Sequence, residues 1–158
     1  MAADTTLRFL SALWQLNRRM KADMAPILAE QRLDLRLYFT LLTVRKGALY
    51  PKQLSEQLDF PPALLSRYLE QLSKLGYLER QLDPADSRRI RLSLTQSGEA
   101  ALDAAVQGVR TSAAQTLAHT EQSDLLALLT VMETLAAGPA SPPPVSKPRR
   151  TRTPKEPV

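Results

Sequence analysis

Apolar residues recur along this chain at two periods, and the change of period divides it into elements. From Asp4 to about Met24, Leu7, Leu10, Leu13, Trp14, Asn17, Met20 and Met24 follow at steps of three and four. That stripe predicts an amphipathic helix, with Asp4 or Thr5 placed to cap it. Pro26 and the segment Gln31-Arg32-Leu33 mark a break. A second helix is expected from about Asp34 to Arg45, carrying Leu35, Tyr38, Phe39, Leu41 and Leu42, with Gly47 ending it. Two shorter helices follow, Pro51–Leu58 and Pro62–Leu75. Each opens on proline, where a missing N–H costs nothing, and Gly76 stands at the end of the second. Beyond it, apolar and polar residues roughly alternate in Tyr77–Leu82 and again in Ile90–Leu94. The polar, turn-rich Asp83–Arg89 lies between them, so the pair predicts a β-hairpin. Thr95 then stands to cap a long helix from about Gln96 to His119. A last helix starts between Glu121 and Ser123 and ends near Ala137, with Leu125, Leu128, Leu129, Met132 and Leu135 on its apolar face. The expected fold is mainly α with one small β-hairpin.

Composition narrows the chemistry. The 158 residues contain no cysteine and a single histidine, His119. Disulfides, thiolate metal clusters, thiol-based sensing and the usual catalytic triads are thereby excluded. No carboxylate pair, phosphate-cradling glycine loop or nucleophile–base pattern suggests an enzyme. No cofactor is expected, and His119 reads as a cation suited to a helix end rather than a metal ligand. Nothing approaches a run of 18 apolar residues and the N-terminus lacks a basic signal region, so no membrane segment and a cytoplasmic location are expected.

The net charge is +5, and its placement matters more than its size. Residues 139–158 hold Lys147, Arg149, Arg150, Arg152 and Lys155 against Glu156, leaving 16 cations against 15 acids elsewhere. Seven of the twelve prolines fall in the same stretch, so 138–158 is expected to be a disordered Pro-rich basic tail. The folded region is expected to be 1–137, with no internal repeat. The tail is either an electrostatic aid to nucleic-acid binding or a solubilising appendage.

Two short helices at a sharp turn followed by a hairpin describe a winged helix-turn-helix, spanning about 48–95. Its second helix is of a size to enter a DNA major groove. Leu65, Leu69 and Leu72, aided by Leu54 and Phe60, would pin one face of it to the core. Ala63, Leu64, Ser66, Arg67, Glu70, Gln71 and Lys74 would be left to solvent or DNA. The wing tip presents Arg88 and Arg89, suited to phosphate or the minor groove.

The run Ser66–Arg80 resembles the recognition helix and first wing strand of the MarR (multiple antibiotic resistance regulator) transcription factors. Asp86-Ser87-Arg88, followed by Leu92-Ser93-Leu94-Thr95-Gln96-Ser97-Gly98, is similar to that family's D-x-R … L-x-L-T-x-x-G signature. The likeness covers roughly Leu7 to Ala137. It implies a homodimer built through the first and last two helices, with double-stranded DNA as partner. It also implies Arg88 as the minor-groove wing arginine, Asp86 as the acid orienting it, and Ser66 and Arg67 on the major-groove face. A small aromatic or anionic effector is implied too, placed by helix order near Trp14, Arg18, Met20 and Tyr38.

Plainer readings stand beside these. Arg67 would pair with Glu70 or Gln71, Asp86 would cap its turn, and Lys74 and Arg80 would be surface charges. Trp14, Met20 and Tyr38 would pack in a dimer core, with Arg18 a surface charge. The family usually opens the recognition helix with Ser or Thr, whereas this chain has Pro61 and Pro62 followed by Ala63 and Leu64. Base readout there would be thin, and Leu64 suits a thymine methyl. The expected function is a homodimeric repressor on a pseudo-palindromic operator, relieved by an effector. The alternative is a winged-helix architectural or protein-interaction module with weak sequence specificity.

Overall fold

The computed structural model describes residues 2–138; the expected tail from residue 139 onward lies outside the described residues. The order is α1 (Ala2–Glu30), α2 (Leu35–Arg45), α3 (Pro51–Leu58), α4 (Pro62–Lys74), β1 (Leu78–Leu82), β2 (Ile90–Leu94), α5 (Gln96–Leu117) and α6 (Gln122–Ala137). The chain divides into two compact units between Leu117 and Ala118, so α1 to α5 form one and α6 belongs to the other. The expected folded region 1–137 contains both.

The break expected at Pro26 does not occur there. Pro26 lies inside α1, exposed, and the helix runs on to Glu30. An internal proline costs a helix about 3 kcal/mol through its lost N–H and ring clash. Here the turn beyond it is held by tertiary packing. Leu28 is fully buried, and Ile27 packs so closely on α5 that a Cβ at Gly108 would lie 2.5 Å from its Cγ2. The helix stops at Arg32, which takes the left-handed conformation (φ 55°). The Arg32 N–H donates to the Ala29 carbonyl (2.9 Å) and the Leu33 N–H to that of Leu28 (2.9 Å), while Leu28 and Leu33 are both buried. This is the Schellman ending, normally built on glycine.

Asp34 then opens α2, its Oδ1 accepting the N–H groups of Arg36 (2.9 Å) and Leu37 (2.8 Å). Around α2 gathers the core: Leu37, Leu41 and Val44 meet Leu54 from α3, Leu65, Leu69 and Leu72 from α4, Leu78 and Leu92 from the hairpin, and Leu102 from α5. Fully burying one such side chain contributes about 1.5–3 kcal/mol. The two strands pair antiparallel, Leu78 opposite Leu94 and Leu82 opposite Ile90. Leu92 also donates its N–H to the Leu49 carbonyl (2.8 Å), which ties the hairpin to the segment before α3.

The junction from hairpin to α5 explains the Thr-x-x-Gly spacing. Thr95 Oγ1 accepts the Gly98 N–H (3.0 Å) as a helix cap and donates to the Gly76 carbonyl (2.5 Å). Gly98 lies against the backbone of Tyr77, where a Cβ would sit 2.0 Å from the carbonyl oxygen. Only glycine permits that approach.

Candidate nucleic-acid interface

The face of α4 away from the core is an exposed strip of Ala63, Ser66, Arg67, Glu70, Gln71 and Lys74. Leu65, Tyr68, Leu69 and Leu72 are buried behind it, and Tyr68 meets Phe60 edge-on with ring centroids 5.6 Å apart. Leu64 departs from expectation: it is half-buried and packs against the core. Tyr68 widens the apolar sector of the helix and draws in Leu64, one turn before it. Pro61 precedes the helix without a side-chain cap, as its lack of a polar group requires.

The charges on this strip differ in freedom. Lys74 Nζ lies 2.7 Å from Glu70 Oε1, and this hydrogen bond holds the Glu70 carboxyl below its ordinary range. Among the described residues Arg67 makes no ion pair, so the pairing with Glu70 is taken by Lys74 instead. Arg36, from the first turn of α2, joins Leu64, Arg67, Gln71 and Lys74 around a shallow cavity of about 490 Å³. Sequence reasoning did not single out Arg36. Its signal was a cation beside a helix cap, which by itself reads as solvated surface. On the other side of α4, a groove of about 500 Å³ separates α3, α4 and the hairpin, with Lys52, Glu56, Ser66 and Arg80 among its lining. Arg80 reaches the Ser66 carbonyl at 3.4 Å, a long hydrogen bond.

The wing loop is built by its acids. Asp86 accepts the Arg88 N–H on Oδ1 (3.0 Å), and its carbonyl accepts the Arg89 N–H (2.9 Å). Asp86 thus caps the turn, and no ion pair joins its side chain to that of Arg88 among the described residues. Arg88 itself is exposed. Arg89 is exposed too, but its guanidinium lies over the Tyr50 ring, 3.8 Å from the centroid. The Tyr50 hydroxyl donates to Asp83 Oδ2, and Asp83 Oδ1 accepts the Ala85 N–H (2.7 Å). These bonds, Tyr50 first, hold the Asp83 carboxyl below its ordinary value, while the same bond to Asp83 pushes the Tyr50 phenol up. This buried acid and its tyrosine, 33 residues apart, were not legible as a pair from sequence.

The four residues expected near an effector are not brought together within the chain. Trp14 is exposed, with the Arg18 guanidinium 5.4 Å from its ring centroid. Met20 is half-exposed and lines an apolar hollow of about 140 Å³ with Leu16, Met24, Val109 and Leu117. Tyr38 is a core residue, its ring edge-on to Phe39 at 5.3 Å, and burial pushes its phenol up.

Comparison with known proteins adds to this geometry. Residues 38–89 match the model of the MarR family. Over 85 residues the chain is 29% identical to the HTH-type transcriptional regulator PrsX of Escherichia coli, covering 52% of this chain. The match takes in only 51% of that relative, so the chain spans about half the length of the curated relatives it matches. Among solved structures, a mutant MarR from E. coli complexed with operator DNA is similar at 19% identity, covering 84% of this chain and 96% of that one, with a TM-score of 0.73. CouR from Rhodococcus jostii, bound to p-coumaroyl-CoA, is similar at 16% identity over 83% and 93% of the two chains, with a TM-score of 0.72. At such identities the likeness establishes the fold, and the sequence match lies in the helix-turn-helix and wing. Residues 38–89 thus match the MarR family model, in a chain whose fold is similar to that of solved MarR structures.

Proposed function

We propose that this chain is a transcriptional regulator that binds double-stranded DNA as a homodimer, a repressor acting on a pseudo-palindromic operator. The observation that carries the reading is the pairing of two exposed cationic features on one compact lobe. The strip of Ser66, Arg67 and Gln71 is backed by buried Leu65, Leu69 and Leu72, and Arg88 stands on a turn capped by Asp86. Ala63, Leu64, Lys74 and Arg89 complete the contact set, with Leu64 limited to its uncovered edge. Arginine clamps phosphate or reads guanine through two N–H groups, and serine donates to either.

Dimerisation has its own support. α1 exposes Leu7 (67%), Leu10 (52%) and Trp14 (63%), and the last helix has no buried residue despite Leu126, Leu129, Met132 and Leu135. Apolar surface of this extent calls for a partner, and a second copy is the one the fold supplies. An aromatic or anionic effector would meet Trp14 and Arg18 at the surface, with Met20 further along α1 and Tyr38 reaching it only through the core.

Selection from a random duplex pool at physiological salt tests the reading. Enrichment of two half-sites about ten base pairs apart is expected from a two-fold protein. A pool that fails to converge overturns it. The second reading, a winged-helix architectural or interaction module, draws on the uncapped Pro61 and half-buried Leu64, which leave the start of α4 poor in polar readout. It requires an enriched duplex to bind scarcely better than random duplex.

A further inference from the structure

The wing loop is closed by a cluster that reaches outside the wing. Asp83 donates its N–H to the Arg89 carbonyl (2.9 Å), so these two residues form the neck of the loop. Tyr50 comes from the other half of the lobe: it is the residue immediately before α3, where its N–H donates to Gln53 Oε1 (3.2 Å) and its carbonyl accepts from Leu54 (3.2 Å). One tyrosine therefore touches both sides of the neck, Asp83 through its hydroxyl and Arg89 through its ring. A guanidinium lying over an aromatic ring keeps N–H donors for an acceptor such as phosphate, which it can meet with two parallel hydrogen bonds. Arg89 remains exposed and forms no ion pair among the described residues.

We infer that Tyr50 is the positioning residue of the wing: its hydroxyl holds Asp83 and its ring lies under the Arg89 guanidinium, so that a DNA phosphate meets an arginine already ordered. The inference rests on the DNA-binding reading above. Ordering a loop and a long side chain before contact removes that entropy from the cost of binding. Tyr50 reaches no base or phosphate in this role and acts only through Arg89 and the loop that carries Arg88.

The test uses the full chain and the duplex enriched by the pool selection. Tyr50→Leu removes ring and hydroxyl together, whereas Tyr50→Phe keeps the ring. Tyr50→Leu is expected to lower affinity about tenfold and to reduce the slope of log affinity against log salt by about one phosphate contact. Tyr50→Phe is expected to keep the wild-type slope and to lose about threefold, the scale of one hydrogen bond. Arg89→Ala should reduce the slope as Tyr50→Leu does, and the double variant should reduce it no further. A wild-type slope in Tyr50→Leu overturns the inference. Amide exchange in the free protein separates this from failure of the DNA reading itself. Faster exchange at Ala85 and Arg89 in Tyr50→Phe is expected whether or not the pool converges, and unchanged exchange there overturns the hold on the wing.

Discussion

Arg88 and Leu64 are both exposed to the proposed DNA in the sequence reading, yet the structure gives them different freedom. Arg88 is exposed on a capped turn, while Leu64 is partly buried and packs against the core. Arg88→Ala should therefore weaken binding to an enriched duplex by about 1–3 kcal/mol, and more than Leu64→Ala does. A gel-shift titration giving the reverse order would contradict this placement. Gly98 carries a different kind of constraint. A methyl group there meets the Tyr77 carbonyl oxygen at 2.0 Å, backbone that has nowhere to move without opening the turn from hairpin to α5. Gly98→Ala should destabilise the protein by about 2 kcal/mol or more, read as a lowered urea midpoint. Asp83 sets a pH dependence. Its carboxyl is held below the ordinary 3.8, first by the Tyr50 hydroxyl, so the stabilisation is present above that value and lost as pH falls through the lower folded one. Tyr50→Phe should flatten the fall of Tm in that acid range relative to the wild type.

At the scale of elements, the boundaries follow from local chemistry wherever one side chain settles them. Asp34 caps α2 with two hydrogen bonds, Pro51 and Pro62 open α3 and α4, and Gly76 (φ 73°) follows the end of α4. Asp34→Ala should cost about 1 kcal/mol, measurable by equilibrium denaturation, because two N–H groups at the start of α2 lose their acceptor. The same local logic fails at Pro26 and succeeds only partly at Arg32. A proline normally ends a helix, but burial of Leu28 and the close fit of Ile27 against Gly108 carry α1 past it. The chain then stops at a non-glycine residue in a left-handed conformation, because burying Leu28 with Leu33 offsets the strain. Neither outcome is readable from a window of a dozen residues.

At the scale of the whole molecule, charge and exposed apolar surface are partitioned. The basic excess belongs to residues 139–158, and the other 138 residues are close to neutral. Deleting 139–158 should lower the salt dependence of DNA binding by about one unit for each tail cation that meets phosphate, read from affinities at several salt concentrations. An unchanged slope would leave the tail a solubilising appendage. The apolar faces of α1 and of the last helix, by contrast, are exposed in the single chain.

What the sequence determined by itself is the part of the fold governed by period and punctuation. Leucines at helical spacing, the alternation at Tyr77–Leu82 and Ile90–Leu94, and Thr95 three residues before Gly98 led to the helix-turn-helix and its wing. Ser66 and Arg67 emerged on an exposed face because that face is the complement of a leucine pattern, and Arg88 is exposed in the polar connector between the strands. Tertiary structure alone decided which exposed charges are already engaged and which residues meet across the chain. Lys74 pairs with Glu70, Tyr38 is withdrawn into the core from the effector group, and Tyr50 finds Asp83 and Arg89 from more than thirty positions away. The reason is physical: spacing reports which face of an element a residue occupies, whereas contacts between elements depend on how the packed core brings those faces together.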